Sequence, residues 1–115
     1  MAERFSVAWA AAAVADLETV VEHVAAEDPR AARRLLDGLE RRARALESLP
    51  RRGRVVPELA ALLVRGYREI IHGPYRLIYS VEGRRVDVLA LLDGRRDLQS
   101  LFVERLVAFR PQSGR

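Results

Sequence analysis

The segment from Gly73 to Asp97 constrains the fold more than any other part of the chain, because it has the sequence of a β-hairpin. One strand begins with Tyr75, and a second apolar strand runs up to Asp93. Glu82-Gly83 separates them, and glycine readily takes the positive φ that tight hairpin turns require. We therefore expect two adjacent antiparallel strands, with a short turn between them.

Arginines lie where the first strand of this hairpin begins and where its second strand ends. Arg76 follows the first residue of the first strand, and Arg95 and Arg96 follow the second strand. A guanidinium group stays charged at physiological pH, and its fork matches a phosphate or a carboxylate. The hairpin is therefore predicted to hold permanent cations on a rigid sheet, which suits an anionic partner. The alternative for the second pair is a solvated turn, in which Asp97 caps a following helix.

Strand alternation predicts where Arg76 points. It places Leu77 and the flanking tyrosines on one face of the sheet, and Arg76 on the other. Because burying an arginine under the helices is costly without a partner, we expect Arg76 to face outward on the open side of the sheet. A salt bridge to Glu69 or Asp87 on the neighbouring strands is the alternative.

The first half of the chain predicts a strand and a helical hairpin. Residues 5–9 alternate like a strand with one buried face, and apolar spacing predicts a helix over about Ala10–Ala26. Asp28-Pro29 is a typical helix entry, with an N-cap followed by proline at the first helical position. The second helix should run to about Leu49, and Pro50 should end it.

Three further strands are expected at about Leu63–His72, Tyr75–Val81 and Arg85–Leu92, joined by short connections. Residues 50–61 read as a loop rich in Pro, Gly and Arg. The tail Leu98–Phe109 places its apolar residues on one helical face. The resulting order is an α+β fold: an N-terminal strand, an α-helical hairpin, a three-stranded antiparallel meander and a C-terminal helix.

Composition narrows the function classes. The 115 residues suit one domain, 1–115, and the net charge of +4 favours an acidic protein or nucleic acid as partner. All 20 cationic residues are arginine, and there is no cysteine. Disulfides and thiolate metal sites are thereby excluded. No apolar run is long enough to cross a membrane. We expect a cytoplasmic protein without a cofactor or a metal.

Several short motifs occur in an order that resembles the RelE/ParE family of toxins, the toxin halves of type II toxin–antitoxin modules, also called plasmid stabilisation proteins. The matching residues are Pro50, Gly53, Arg54, Pro57, Glu58, Leu59, Tyr75, Arg76, Tyr79 and Gly94–Asp97. The resemblance covers about residues 5–97. It implies the RelE/ParE-like fold and a toxin that arrests growth, either by inhibiting DNA gyrase or by cleaving mRNA on the ribosome.

The resemblance also implies a working surface on the sheet. A target- or phosphate-binding site would include Arg68, Arg76, Tyr79, Arg95 and Arg96. If the chain is an enzyme, it would be a metal-independent mRNA endoribonuclease in which Arg76, Arg96 and His72 are the catalytic candidates.

The nuclease alternative lacks one chemical component in this sequence. Nuclease members of the family usually have a Tyr or His in the C-terminal segment, and this chain has no Tyr, His or Lys after Asp97. Attack by a ribose hydroxyl requires proton transfer, and only His72 and Glu58 could supply it. This slightly favours a ParE-like gyrase inhibitor over a RelE-like nuclease.

A cognate antitoxin is the expected partner, in a hetero-tetramer or a larger assembly. Apolar residues of the second helix and the tail are predicted to contact it: Leu36, Leu39, Leu101, Phe102 and Leu106. Antitoxin segments of this kind are typically acidic and disordered until bound. Two other functions are possible: a noncatalytic nucleic-acid-binding domain, and a protein of the same fold that has lost toxicity and only assembles with its partner.

Overall fold

A computed structural model of the chain describes residues 4–94. Strand β1 (Ser6–Trp9) precedes a helical hairpin of α1 (Ala11–Ala25) and α2 (Pro29–Arg44), which ends in a short 3-10 turn at Ala45–Glu47. Then follow β2 (Arg54–Val55), α3 (Pro57–Ala60), β3 (Tyr67–His72), β4 (Tyr75–Glu82) and β5 (Arg85–Asp93). The predicted α+β class and the order strand, helical hairpin, meander are confirmed.

The five strands form one sheet in the order β1-β5-β4-β3-β2. Strands β2 to β5 pair antiparallel in chain order, with short turns between β3, β4 and β5, whereas β1 lies parallel to β5, with Val7 opposite Val86. A parallel neighbour needs a long crossover, and here the helical hairpin belongs to that crossover. The register of β4 against β5 shifts between Ile78 and Tyr79, which is a β-bulge.

The helical hairpin packs on one face of the sheet, called here the helix face. Apolar side chains from α2 and the 3-10 turn, including Leu39 and Leu46, are completely buried against Leu77, Tyr79 and Val88 of the sheet. Burial of such side chains contributes roughly 1.5–3 kcal/mol each. The main core of the described residues therefore lies between the hairpin and β3, β4 and β5.

A second, smaller core lies on the opposite face, called here the α3 face. Val56 and Leu59 are fully buried against Ile78, Ala90 and Leu92. The short helix α3 begins with Pro57 at its first position, which suits the fixed φ of proline. The sheet therefore has apolar cover on both faces, and the segment between β2 and β3 supplies the second cover.

Helix boundaries follow their local chemistry closely. The side chain of Asp28 accepts hydrogen bonds from the backbone N–H groups of Arg30 and Ala31, and Pro29 opens α2 as predicted. Regular α-helix ends at Arg44, five residues before the predicted end, and the 3-10 turn completes the segment.

The segment 50–61 was predicted to be a loop, and this interpretation is incomplete. It contains the two-residue edge strand β2 and the four-residue helix α3. Strand β3 begins at Tyr67, not at Leu63 as predicted. Hydrophobic periodicity can be recognised only over segments longer than these two elements, so the sequence did not reveal them. The predicted tail helix Leu98–Phe109 lies outside the described residues.

Asp16 holds α1 against the sheet where β1 ends. Its Oδ2 accepts a hydrogen bond of 3.0 Å from the backbone N–H of Leu91, beyond the last pair between β1 and β5. The carboxylate thus satisfies a backbone donor that β1 does not reach. Among the helices of residues 4–94, none is long and apolar enough to cross a bilayer.

Candidate functional site

Four charged side chains form a network on the α3 face, called here the Arg76 cluster: Arg54, Glu58, Glu69 and Arg76. Arg76 donates two hydrogen bonds of 2.7 Å to the two carboxylate oxygens of Glu58, in a bidentate pair. Its Nε donates to Glu69 Oε1, also at 2.7 Å. The other oxygen of Glu69 accepts from Arg54 Nε at 2.6 Å.

Each member of the cluster comes from a different element of the α3 face. Strand pairing sets Arg54 opposite Glu69, and Arg76 opposite Ile71 two residues further along β3. Because side chains two residues apart share a face, these groups converge. Glu58 comes from α3, which the buried Leu59 anchors over the sheet. The cluster therefore fastens the α3 segment to the central strand.

Arg76 and Glu69, at the centre of the cluster, are buried, and the two arginines and two carboxylates of the cluster balance in charge. Arg76 is only 8% exposed and the side chain of Glu69 is fully buried. Hydrogen bonding to Glu58, opposed in part by burial, raises the pKa of Arg76 above its ordinary value. The same hydrogen bonds lower the pKa of Glu58. Among the described residues, no buried side-chain nitrogen or oxygen lacks a hydrogen-bond partner. Such pairing is what makes a buried charge tolerable.

The predicted outward orientation of Arg76 is therefore wrong, although its predicted face is correct. Arg76 lies on the side away from the helices, but α3 covers it and two carboxylates hold it. The alternative pairing with Glu69 is confirmed, whereas Asp87 pairs with Arg85. A guanidinium group with two carboxylate partners is a poor phosphate clamp, because the phosphate must compete with them.

An open cleft of about 640 Å³ lies beside the cluster, around the turn between β3 and β4. Its lining includes Arg54, Ile71, Tyr75, Arg76 and Asp93. The side chain of Arg54 is 60% exposed, which makes it the accessible cation of the cluster. In the sequence, Arg54 had been singled out only among the residues that carry the family resemblance.

His72 does not join this site. It pairs with Tyr75 on β4 and therefore lies on the helix face, where its ring packs over Gly38 of α2. A Cβ added to Gly38 would lie 3.0 Å from two ring atoms of His72. Since Arg76 is on the opposite face, the predicted catalytic pairing of His72 with Arg76 is incompatible with this geometry.

The surroundings of His72 disfavour its charged form. Burial lowers its pKa below the ordinary 6.5, and the positive charges of Arg42 and Arg41 lower it further. The unfolded chain therefore takes up a proton near pH 6.5, before the folded chain does. Stability should be constant above that pH and should fall as the pH decreases from 6.5 through the lowered value.

We expect His72→Gln to remove this part of the pH dependence. Urea midpoints measured between pH 7.5 and 5 should fall less steeply in the variant than in the native chain. His23→Gln is the matched control, because His23 is exposed on α1. If both variants and the native chain show the same slope, the packing of His72 against α2 does not control its titration.

Tyr79 is a core residue and not a contact for a target, which corrects the prediction. It is fully buried in the main core, and its hydroxyl oxygen accepts a 3.0 Å hydrogen bond from the backbone N–H of Gly53. Arg68 is half-buried and donates to the carbonyl oxygens of Gly53 and Arg51, at 2.8 and 3.4 Å. Together these contacts hold the entry to β2 in place.

Of the residues predicted to contact the antitoxin, the structure buries one and leaves another partly accessible. Leu39 is fully buried between α2 and the sheet, so it cannot offer its side chain to a partner, and that prediction is wrong. Leu36 is half-buried and remains a candidate. The remaining predicted residues lie outside the described part of the chain: Arg95, Arg96, Leu101, Phe102 and Leu106. Within residues 4–94, no three His, Cys, Asp or Glu side chains converge as metal ligands.

Solved structures with this fold include two bacterial toxin–antitoxin proteins. The chromosomal ParDE system from P. aeruginosa matches with a TM-score of 0.63 and 21% identity, covering 76% of this chain and 94% of that one. The RelBE2 toxin–antitoxin complex from Mycobacterium tuberculosis matches with a TM-score of 0.53 and 19% identity, covering 79% and 92%. At these identities, the similarity establishes a shared fold.

Sequence comparison is more specific. No curated protein matches the chain significantly. The profile of the ParE toxin of the type II toxin–antitoxin system parDE matches residues 7–98, which extends from β1 through every described strand to the residues just after β5. The chain therefore belongs to the ParE toxin family of type II toxin–antitoxin systems.

Proposed function

We propose that this toxin arrests growth by inhibiting DNA gyrase and that a cognate antitoxin neutralises it. The observation that carries the proposal is the Arg76 cluster. A nuclease would use Arg76 to stabilise a scissile phosphate, but here Glu58 and Glu69 already neutralise that guanidinium group. An inhibitor that acts by binding needs no such clamp.

The position of His72 supports the same conclusion. RNA cleavage requires a group that moves protons within hydrogen-bond reach of the reacting hydroxyl. His72 is on the face opposite Arg76, and Glu58 has a lowered pKa because Arg76 holds it as a carboxylate. A carboxylate of lowered pKa is a weak base. After Asp97, the sequence contains no Tyr, His or Lys that could replace them.

Ribosome-dependent mRNA cleavage is the second candidate function. The observation in its favour is the cleft beside the cluster, where Arg54 is accessible and Tyr75 could stack on a base. The predicted contacts of Arg95 and Arg96 are common to both candidate functions and do not separate them. Inhibition of gyrase ranks above it because Arg76, which lines the cleft, is already paired with Glu58 and Glu69, and because His72 lies on the opposite face of the sheet.

The antitoxin is proposed as an acidic segment that folds on binding. Both structural relatives are toxin–antitoxin systems by name. In this chain, Val14 on α1 is 39% exposed and Leu36 on α2 is half-buried, so the helical hairpin retains apolar surface. An amphipathic helix could bury such residues. A hetero-tetramer or a larger assembly in the cytoplasm remains part of the proposal.

Two assays on one preparation test the target. We expect the purified chain to inhibit DNA supercoiling by gyrase, with cleaved DNA as a product, and to leave mRNA intact in a translating extract. The co-encoded antitoxin should reverse the inhibition. Normal supercoiling together with ribosome-dependent mRNA cleavage would reverse the ranking of the two candidates.

A variant pair tests in the same experiment whether Arg96 belongs to the working surface. Arg96→Ala should reduce inhibition by roughly 10- to 100-fold, since a charge-assisted hydrogen bond contributes about 1.5–3 kcal/mol. Arg65→Ala removes an equal charge from an exposed position before β3 and should leave inhibition unchanged. Equal activity of the two variants would exclude Arg96 from the working surface.

A further inference from the structure

The exposed side of α2 carries a row of arginines, called here the α2 arginine face: Arg30, Arg34, Arg41 and Arg44. All four are exposed. At 100° per residue they fall within a sector of about 80°, and at 1.5 Å per residue the row is about 21 Å long. The buried residues of α2 project to the other side, toward the sheet.

This helix accounts for the whole net charge of the chain. It carries six arginines and two carboxylates, a net charge of +4, which equals the net charge of the 115 residues. The other fourteen arginines and fourteen carboxylates cancel. By contrast, the neighbouring helix α1 carries three carboxylates and no arginine. The net positive charge therefore resides on α2, and four of its six arginines lie on the α2 arginine face.

The four arginines have no carboxylate partner within residues 4–94. On α2, the structure pairs Arg33 with Asp37 at 3.6 Å and leaves the side chains of the row without an ion pair. Arg30 lies in the first turn of α2, where a cation opposes the helix dipole and a bound anion would offset that effect. Arg41 and Arg44 lie in the last turn, where cations favour the helix.

We propose that the α2 arginine face binds the phosphate backbone of duplex DNA. Protein interfaces need apolar or aromatic anchors, whereas the other residue of α2 within this sector is Asp37, and Arg33 lies about 20° beyond its edge. Single-stranded nucleic acid is held largely by stacking on aromatic side chains, and the sector has none. A straight row of guanidinium forks matches a regular line of phosphates. The proposal does not depend on inhibition of gyrase, because the surface would bind DNA alone.

Salt dependence measures the contacts directly. Four phosphate contacts should give a slope of about −3.6 for log K against log salt, so affinity should fall roughly 150-fold between 50 and 200 mM salt. The test uses the full chain and a 20-base-pair duplex of arbitrary sequence, followed by fluorescence anisotropy. The triple variant Arg30→Gln/Arg34→Gln/Arg41→Gln should reduce the slope to about −0.9.

A control variant separates this surface from general basicity. Arg51→Gln/Arg52→Gln/Arg65→Gln removes the same charge from exposed arginines between α2 and β3, and should keep the native slope. Circular dichroism should show both variants folded. Equal slopes for the two variants would overturn the proposal, as would failure of the native chain to bind duplex DNA.

Two further probes test the nature of the ligand. Duplex RNA of the same length and a polyglutamate peptide are offered to the native chain and to the α2 variant. We expect duplex DNA to bind most tightly. Equal or tighter binding of RNA would overturn the assignment to DNA. Binding of the peptide that depends on α2, without binding of DNA, would identify the face as a protein interface and refute the proposal.

Discussion

Arg76→Ala should lower the free energy of unfolding by about 3–5 kcal/mol, the usual cost of removing one partner from a buried ion pair. The substitution leaves the fully buried Glu69 with Arg54 alone, and it releases Glu58 and therefore α3 from the central strand. Chemical denaturation followed by circular dichroism measures the loss. Small domains have about 5–15 kcal/mol in total, so the variant should be near the limit of folding.

Arg85→Ala is the matched control for this prediction. Arg85 lies on the next strand and forms two ion pairs, with Glu82 and Asp87, but its side chain is 56% exposed. Exposed pairs contribute up to about 1 kcal/mol. A loss for Arg76→Ala no larger than that for Arg85→Ala would contradict the buried role of the cluster.

This result would change how activity data are interpreted. If Arg76 faced outward in the working surface, as the sequence suggested, Arg76→Ala would remove toxicity while the fold persists. In the structure, Arg76 holds α3 over the sheet, so lost toxicity in that variant would first report lost stability. Arg54 is the better probe of the cleft, because its side chain is largely exposed while its partner Glu69 keeps Arg76.

Local patterns predicted most of the fold. Alternation in β4 correctly placed Arg76 on the face of the sheet that points away from the helical hairpin. Asp28-Pro29 correctly marked the start of α2. These features depend on neighbours in sequence. The cover over Arg76 depends on a carboxylate 18 residues away in a four-residue helix. No period or cap signals such a pairing, which is why the burial of Arg76 was missed.

Two errors at the site were avoidable from the same patterns. Alternation already put Tyr79 on the face with Leu77, toward the helices, and this predicts a core residue. Leu39 likewise lies on the apolar side of α2 that packs on the sheet. Tyr79 and Leu39 are both fully buried. The resemblance to a toxin family favoured a binding role for them. Local physical evidence should have taken precedence at both positions.

The role of Gly53 could not be derived from its sequence context, because it comes from two distant contacts. A Cβ added there would lie 2.6 Å from the backbone oxygen of Glu69 and 2.7 Å from the hydroxyl of Tyr79. Neither atom can move without disturbing the packing around it. Glu69 lies in β3 between two paired strands, and Tyr79 is fully buried.

Gly53→Ala should therefore destabilise the chain by about 1–3 kcal/mol, the range typical of overpacked sites. The added methyl group must push β2 away from β3, which would break the 3.0 Å hydrogen bond to Tyr79 and disturb the pairing of Arg54 with Glu69. Thermal and urea unfolding measure the effect. Loss of the Gly53–Tyr79 bond should also change the surroundings of the buried phenol ring, which near-UV circular dichroism can detect.

Gly38→Ala provides the control for this last prediction. Its new methyl group meets the ring of His72 at 3.0 Å, a side chain that can rotate, and alanine favours the helix by about 1 kcal/mol over glycine. We expect this variant to stay within about 1 kcal/mol of the native chain. Because only Gly53 faces fixed atoms, equal stability of the two variants would mean that β2 is not held against Tyr79. The cleft and the Arg76 cluster would then lose the support assigned to them.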